Sequence, residues 1–234
     1  MTTVGIMQPY LFPYLGYFQL IKECDVFVWL DDAQYTKRGW INRNRILLRG
    51  DAHDFVFSVN KGAQALAIND RWYSASFQVE ANALLKTLQM AYRKAPMYEP
   101  VRDLVTRLLS SEDRNVATFN CSTLEALCAH LDIAPVFVRS SQLSGVSGLR
   151  GEERIIGIAK MLGGGRYVNP IGGTSLYSSE RFARAGLTLN FMESGEIKYK
   201  QLGDTFVPRL SIIDVLMFAD PAVERELLED YSVL

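Results

Sequence analysis

The sequence predicts an α/β protein wound around a parallel sheet, with a helical lobe in the middle of the chain. VGIMQ (4–8) and DVFVWLDD (25–32) are apolar runs separated by one amphipathic stretch, the strand–helix–strand spacing of a βαβ unit. The second half repeats that rhythm, because PVFVRSS, GEERIIGIAKMLG, RYVNPIGG, SSERFARAG and LTLNFME alternate strand and helix. Between the two halves, from about residue 80 to 131, the chain reads as helices alone. With 48% hydrophobic residues among 234 it can bury a sizeable core, and no linker, repeat or low-complexity tract divides it. The expectation is a single α/β domain over 1–234.

The first strand, VGIMQ, is ended by Pro9, which cannot donate to a ladder. A helix from about Pro13 to Glu23 follows, with Leu15, Phe18, Leu20 and Ile21 on its apolar face and proline at a tolerated first-turn position. DVFVWLDD is almost continuously apolar, as a strand covered on both faces should be, and it ends in two carboxylates. AQYTKRGWINRNRILLRG (33–50) is dense in cations and amides, and DFVFSVN (54–60) alternates like a half-exposed strand. Helices are expected from Asn82 to about His130, with Pro96 ending one. Ser122 and Glu125 have the spacing of a capping box for the last. Further on, Gly163 and Gly186 close two helices, and Ser178 caps the second.

Composition excludes several classes of function. A net charge of −1 supplies no field to select nucleic acid or an anionic membrane. Cys24, Cys121 and Cys128 have neither metal-ligand nor CxxC spacing, and their odd number argues against a disulfide framework. His53 and His130 are too few and too far apart for a metal site. No stretch approaches the roughly eighteen apolar residues of a membrane span, and the start lacks a basic leader before an apolar core. A cytoplasmic protein without membrane insertion is expected. There is no GxSxG elbow, Walker loop or GxGxxG.

Ligands of open parallel sheets bind beyond the carboxyl ends of the strands, and four such ends carry unusual residues. MQPYLFPYLGYF (7–18) crowds five aromatic rings and two prolines around Gly16. Gln8, Tyr10, Tyr14 and Tyr17 are candidate contacts there, beside a helix amino end suited to an anion; the alternative is that the rings pack the sheet edge. Asp31 and Asp32 end the second strand, where carboxylates bind sugar hydroxyls, orient an amine, hold Mg²⁺ through water or simply cap a turn. Lys37, Arg38, Arg43 and Arg45 lie within nine residues, interleaved with Trp40 and Asn42. Guanidinium forks match phosphate, and an indole can stack on a base or sugar. Asn169, Gly172 and Gly173 form a strand exit on which a ligand could rest, or a plain turn.

VGIMQPYLFPYLGYFQLI, DVFVWLDDAQYTKRGWINRNRI, YVNPIGG and FVPRLSIIDVLM resemble the signature stretches of the WbqC-like family, over nearly the whole chain. That resemblance implies a bacterial protein from gene clusters for O-antigen and other surface polysaccharides, where members are associated with building or decorating unusual sugars. The first strand–helix junction is also similar to that of nucleotidyltransferases, whose Rossmann-like core carries HxGH at the start of the first helix. Here the stretch reads Tyr14-Leu15-Gly16-Tyr17. A phenol can donate to phosphate but carries no charge at neutral pH.

The expected function is transfer of an acyl or aminoacyl group to the amine of a nucleotide-linked amino sugar. The cations would hold the diphosphate, the rings would stack on the ligand, and Asp31 or Asp32 would take the proton of the amine. The partners implied are a nucleotide-linked sugar and an acyl or aminoacyl donor; oligomeric state is left open. One alternative is an ATP-dependent ligase or adenylyltransferase, the only reading that calls for ATP and Mg²⁺. Another is a non-catalytic partner that binds nucleotide sugars.

Overall fold

The structure is a computed structural model that describes residues 1–203 and 205–234. Its central sheet runs in the order β5-β2-β1-β6-β7-β8 and is parallel except at one edge. β1 (Thr2–Met7) lies between β2 (Val26–Trp29) and β6 (Gly164–Pro170). β5 (Val136–Arg139) lies beyond β2, and β7 (Thr188–Ser194) beyond β6. β8 (Tyr231–Val233) closes the far edge antiparallel to β7. The mostly parallel α/β architecture agrees with the expectation from sequence.

Alternation explains why these short strands read as apolar runs. On β1 and β2, Val4, Ile6, Val26 and Val28 face a smaller core shared with Ile155 and Phe182. Met7, Phe27 and Trp29 face the larger one. A strand covered on both faces has no polar side to show. α5 (Gly151–Met161) and α6 (Ser179–Arg184) cover the smaller face. The larger face is covered by α1 (Leu15–Lys22), α7 (Ile212–Phe218) and α8 (Pro221–Glu229). α2 (Phe77–Tyr92), α3 (Tyr98–Leu109) and α4 (Val116–His130) pack into that same cluster.

Several elements differ from expectation. RNRILL is not part of a basic loop. It is β3 (Arg43–Leu48), paired with β4 (Asp51–Val56), so the following strand begins three residues before Asp54. Arg49 and Gly50 join them with φ of 56° and 88°, the two positive angles that a tight hairpin turn requires. α2 starts at Phe77 rather than Asn82, and α4 starts six residues before Ser122. The cap of α4 is Asn115, whose side chain accepts from the Thr118 N–H at 3.1 Å, so Ser122 lies inside the helix. α7, α8 and β8 were not expected, although Asp220-Pro221 is a cap followed by proline at the first helical turn. No helix among the described residues is long and apolar enough to cross a membrane.

Candidate functional site

From β1 the chain steps to β2 on one side of the sheet and later to β6 on the other. The boundary between β1 and β6 is therefore the topological switch point, where open α/β sheets leave a crevice at their carboxyl end. A cleft of about 790 Å³ lies there. Tyr10, Tyr14 and Gly16 line it after β1, Ile171 and Gly172 after β6, and Glu193, Lys198 and Tyr199 at and after the end of β7. Trp40 and Arg45 approach from the hairpin, and Arg209 from the segment before α7.

The loop between β1 and α1 is rigid because almost every carbonyl in it is claimed. Gln8 O accepts from Tyr17 Oη at 2.6 Å, and Pro9 O from Asn120 Nδ2 at 2.9 Å. Asn44 Nδ2 donates to Leu11 O and Phe12 O at 3.0 and 2.8 Å. Phe12 O also accepts from Ser211 Oγ at 2.7 Å, and Pro13 O from the Ile212 N–H at 2.7 Å. Phe12 is buried with φ of 43°, an angle a bulky residue tolerates only when its surroundings fix it. At Gly16 a Cβ would stand 2.5 Å from Ser194 Oγ and 2.6 Å from the Tyr14 ring. The glycine thus lets the first turn of α1 close against the end of β7.

The two tyrosines of YxGY part company. Tyr14 is 37% exposed and lines the cleft. Tyr17 is 1% exposed, packed among Tyr10, Phe18 and Phe27, and spends its hydroxyl on Gln8. Burial raises the pKa of Tyr10 and Tyr14, with the Arg209 charge opposing it at Tyr14, so both enter the cleft as neutral donors. Gln8 is half-buried and contributes its carbonyl to the loop.

The basic stretch is also divided. Trp40, 37% exposed, is flanked by the guanidinium carbons of Arg43 and Arg45 at 5.0 and 5.1 Å from its ring. Arg43 is occupied, donating to Gly39 O at 3.1 Å and Arg38 O at 2.7 Å. Arg45 lines the cleft, its Nε is buried without an acceptor, and no carboxylate pairs with it among the described residues. Lys37 and Arg38 are exposed outside the cleft. Asn42 braces the open end of the hairpin instead of lining the cleft, accepting from Tyr35 Oη at 2.9 Å and donating to Phe57 O at 2.7 Å.

Asp31 and Asp32 sit at a different joint. Asp31, 1% exposed, accepts from Ser140 Oγ at 3.1 Å, the Ser141 N–H at 3.0 Å and Ser141 Oγ at 2.6 Å. Asp32 accepts from Ser140 Oγ and from Arg154 Nη2, both at 2.5 Å. These bonds tie the end of β2 to the residues after β5 and to α5, and neither aspartate lines the cleft. Asn169, 5% exposed, accepts from Tyr167 Oη at 3.1 Å; Gly173 is buried beside it, while Gly172 reaches the cleft. Among the described residues, no three His, Cys, Asp or Glu side chains are grouped to hold a metal ion. A second cavity, about 880 Å³, lies between the hairpin turn and α2, and none of the residues singled out from sequence lines it.

The far wall of the cleft carries none of the residues expected from sequence to bind a ligand. Residues 195–203 and 205–210 carry no regular secondary structure, and the stretch has no periodicity that would have marked it. The quoted stretch FVPRLSIIDVLM nonetheless contains Arg209, Ser211 and Asp214, which face or brace the cleft.

Among curated proteins, the uncharacterized protein Rv1507c of Mycobacterium tuberculosis (strain ATCC 25618 / H37Rv) is 28% identical over 219 residues, 92% of this chain and 93% of its own. No solved structure gives a significant match. A profile of the WbqC-like protein family matches residues 8–226, from the loop after β1 through Arg45 and Arg209 to α8. Spanning the three segments that enclose the cleft, that match shows that the chain belongs to the WbqC-like protein family.

Proposed function

We propose that this protein binds a nucleotide-linked amino sugar in the switch-point cleft and transfers an acyl or aminoacyl group to the sugar amine, in the making of a bacterial surface polysaccharide. The observation that carries the reading is Arg45, a cleft-lining guanidinium with no acceptor on the protein among the described residues, set against a half-exposed indole. A buried donor without a partner calls for one from outside, and a guanidinium fork fits a diphosphate oxygen pair. Trp40, Tyr10 and Tyr14 supply ring faces and neutral hydroxyls for the base and sugar.

In the transfer, the amine lone pair attacks the carbonyl carbon of an activated donor. The new C–N bond forms, the bond to the donor's leaving group breaks, and the amine proton passes to a carboxylate. Asp31 and Asp32 are held by serines and Arg154. Glu196 pairs with Lys198 at 2.6 Å. Glu193, which borders the cleft and has no ion-pair partner among the described residues, is the carboxylate this reading assigns to the proton. The ATP-dependent alternative loses support at Tyr17, since the position of the second histidine is filled by a core side chain.

Calorimetric titration with nucleotide-linked amino sugars, followed by mass spectrometry of the product with acyl donors, tests the reading. Arg45→Ala should weaken binding about tenfold or more, as loss of a charge-assisted pair does, and Arg43→Ala much less. Glu193→Gln should bind the sugar and fail to transfer. Absence of binding to every amino sugar nucleotide, or indifference to Arg45→Ala, would overturn it.

A further inference from the structure

The wall that carries Tyr199, Phe206, Pro208 and Arg209 into the cleft has no ladder to hold it among the described residues. Its anchor is a buried carboxylate. Asp214, on α7, is 0% exposed and accepts three bonds. Oδ1 takes Tyr92 Oη at 2.6 Å, while Oδ2 takes Tyr199 Oη at 2.6 Å and Gln201 Nε2 at 2.8 Å. Gln201 grips Val207 in both directions, donating to its carbonyl at 3.0 Å and accepting from its N–H at 2.8 Å. On the other side, Tyr92 Oη accepts from the Leu47 N–H at 2.7 Å, two residues along β3 from Arg45. Ser211 N–H meets Arg45 O at 2.8 Å. One carboxylate thus links the strand that carries Arg45 to the segment that carries Arg209.

Packing alone does not ask for such a group. Burying a carboxylate without a cation in contact is costly, and burial does raise the pKa of Asp214 in spite of its three donors. Its directional bonds give what an apolar side chain cannot, a fixed orientation for the wall. Arg209 itself is held at φ of 57°, a conformation that disfavours any residue with a Cβ. Its side chain has no ion-pair partner among the described residues, and its charge is felt at the Tyr14 phenol.

We infer that Asp214 is a positioning residue for ligand binding: through Tyr199, Gln201 and Val207 it presents Arg209 beside Arg45, so that two guanidinium groups close on one diphosphate. The inference rests on the proposed nucleotide-sugar reading and adds a second arm to its phosphate site.

A double-mutant cycle tests it, with uridine, thymidine, cytidine and guanosine diphosphates as probes and the tightest carried forward. Arg209→Ala should weaken that nucleotide about tenfold, and Tyr199→Phe, which removes the hydroxyl that donates to Asp214 and accepts from Gln201, should weaken it several-fold. In the Arg209→Ala background, Tyr199→Phe should then cost less than about twofold, because its effect runs through the missing arginine. Equal losses in both backgrounds would overturn the inference, since a purely structural role acts on both alike. If none of the four nucleotides binds the wild type, the nucleotide-sugar reading fails, and amide hydrogen exchange decides the positioning separately. Tyr199→Phe should speed exchange across residues 196–209 and leave β1 and β6 protected; unchanged exchange in 196–209 would overturn it.

Discussion

Two pairs of near neighbours in the sequence divide their work, and a third pair is claimed whole by partners far along the chain. Tyr14 faces the cleft and Tyr17 the core. Among the described residues Arg45 has no protein acceptor, while Arg43 braces the loop at Gly39. Asp31 is locked by Ser140 and Ser141, more than a hundred positions away, so two carboxylates that read as a base are a joint. Sequence shows the residue types and their place at strand ends; it does not show which hydroxyl will arrive from a later strand. Asp31→Ala would leave the Ser141 hydroxyl and N–H without their acceptor, while the Ser140 hydroxyl keeps Asp32. It should lower stability by about 3 kcal/mol in chemical denaturation. A loss below about 1 kcal/mol would contradict the joint.

At the scale of elements, legibility followed burial. β1, β2, β6 and β7 could be read because strands covered on both faces concentrate apolar residues. β3 could not, since its Arg43 and Arg45 obscure the buried Asn44, Ile46 and Leu47 between and after them. The start of α4 was misplaced because Ser122 and Glu125 imitate a capping box inside a helix already under way. Asn115 also donates to Asn69 O at 2.6 Å. Asn115→Ala should therefore cost about 1–2 kcal/mol of stability, and Ser122→Ala, at an exposed helical position, within about 0.5 kcal/mol of nothing. Thermal or urea unfolding of the two variants distinguishes the boundaries; the reverse order would restore the cap at Ser122.

Over the whole molecule, folding places many neutral acids out of water. Cys24, Cys121, Cys128, Tyr17, Tyr73, Tyr92 and Tyr167 all have pKa values raised by burial, that of Cys128 to about 12. The unfolded chain releases these protons near the ordinary values of 9.0 for thiols and 10.0 for phenols, whereas the folded chain retains them. Stability is thus fully present below about pH 9 and falls as pH rises beyond it. Urea midpoints measured from pH 7 to 11 should be lower at each step above pH 9, and a flat profile would contradict the burial described here. The same topology that buries these groups leaves a cleft at the β1–β6 switch point. Its near wall was readable in QPYLFPYLG, and its far wall, held by Asp214, was not.

The most direct test of this account is a crystal structure of the protein soaked with a nucleotide-linked amino sugar. The account expects the diphosphate on Arg45, with a ring face of the ligand against Trp40 or Tyr14. A ligand seated at Asp31 and Asp32, or in the cavity between the hairpin turn and α2, would contradict it.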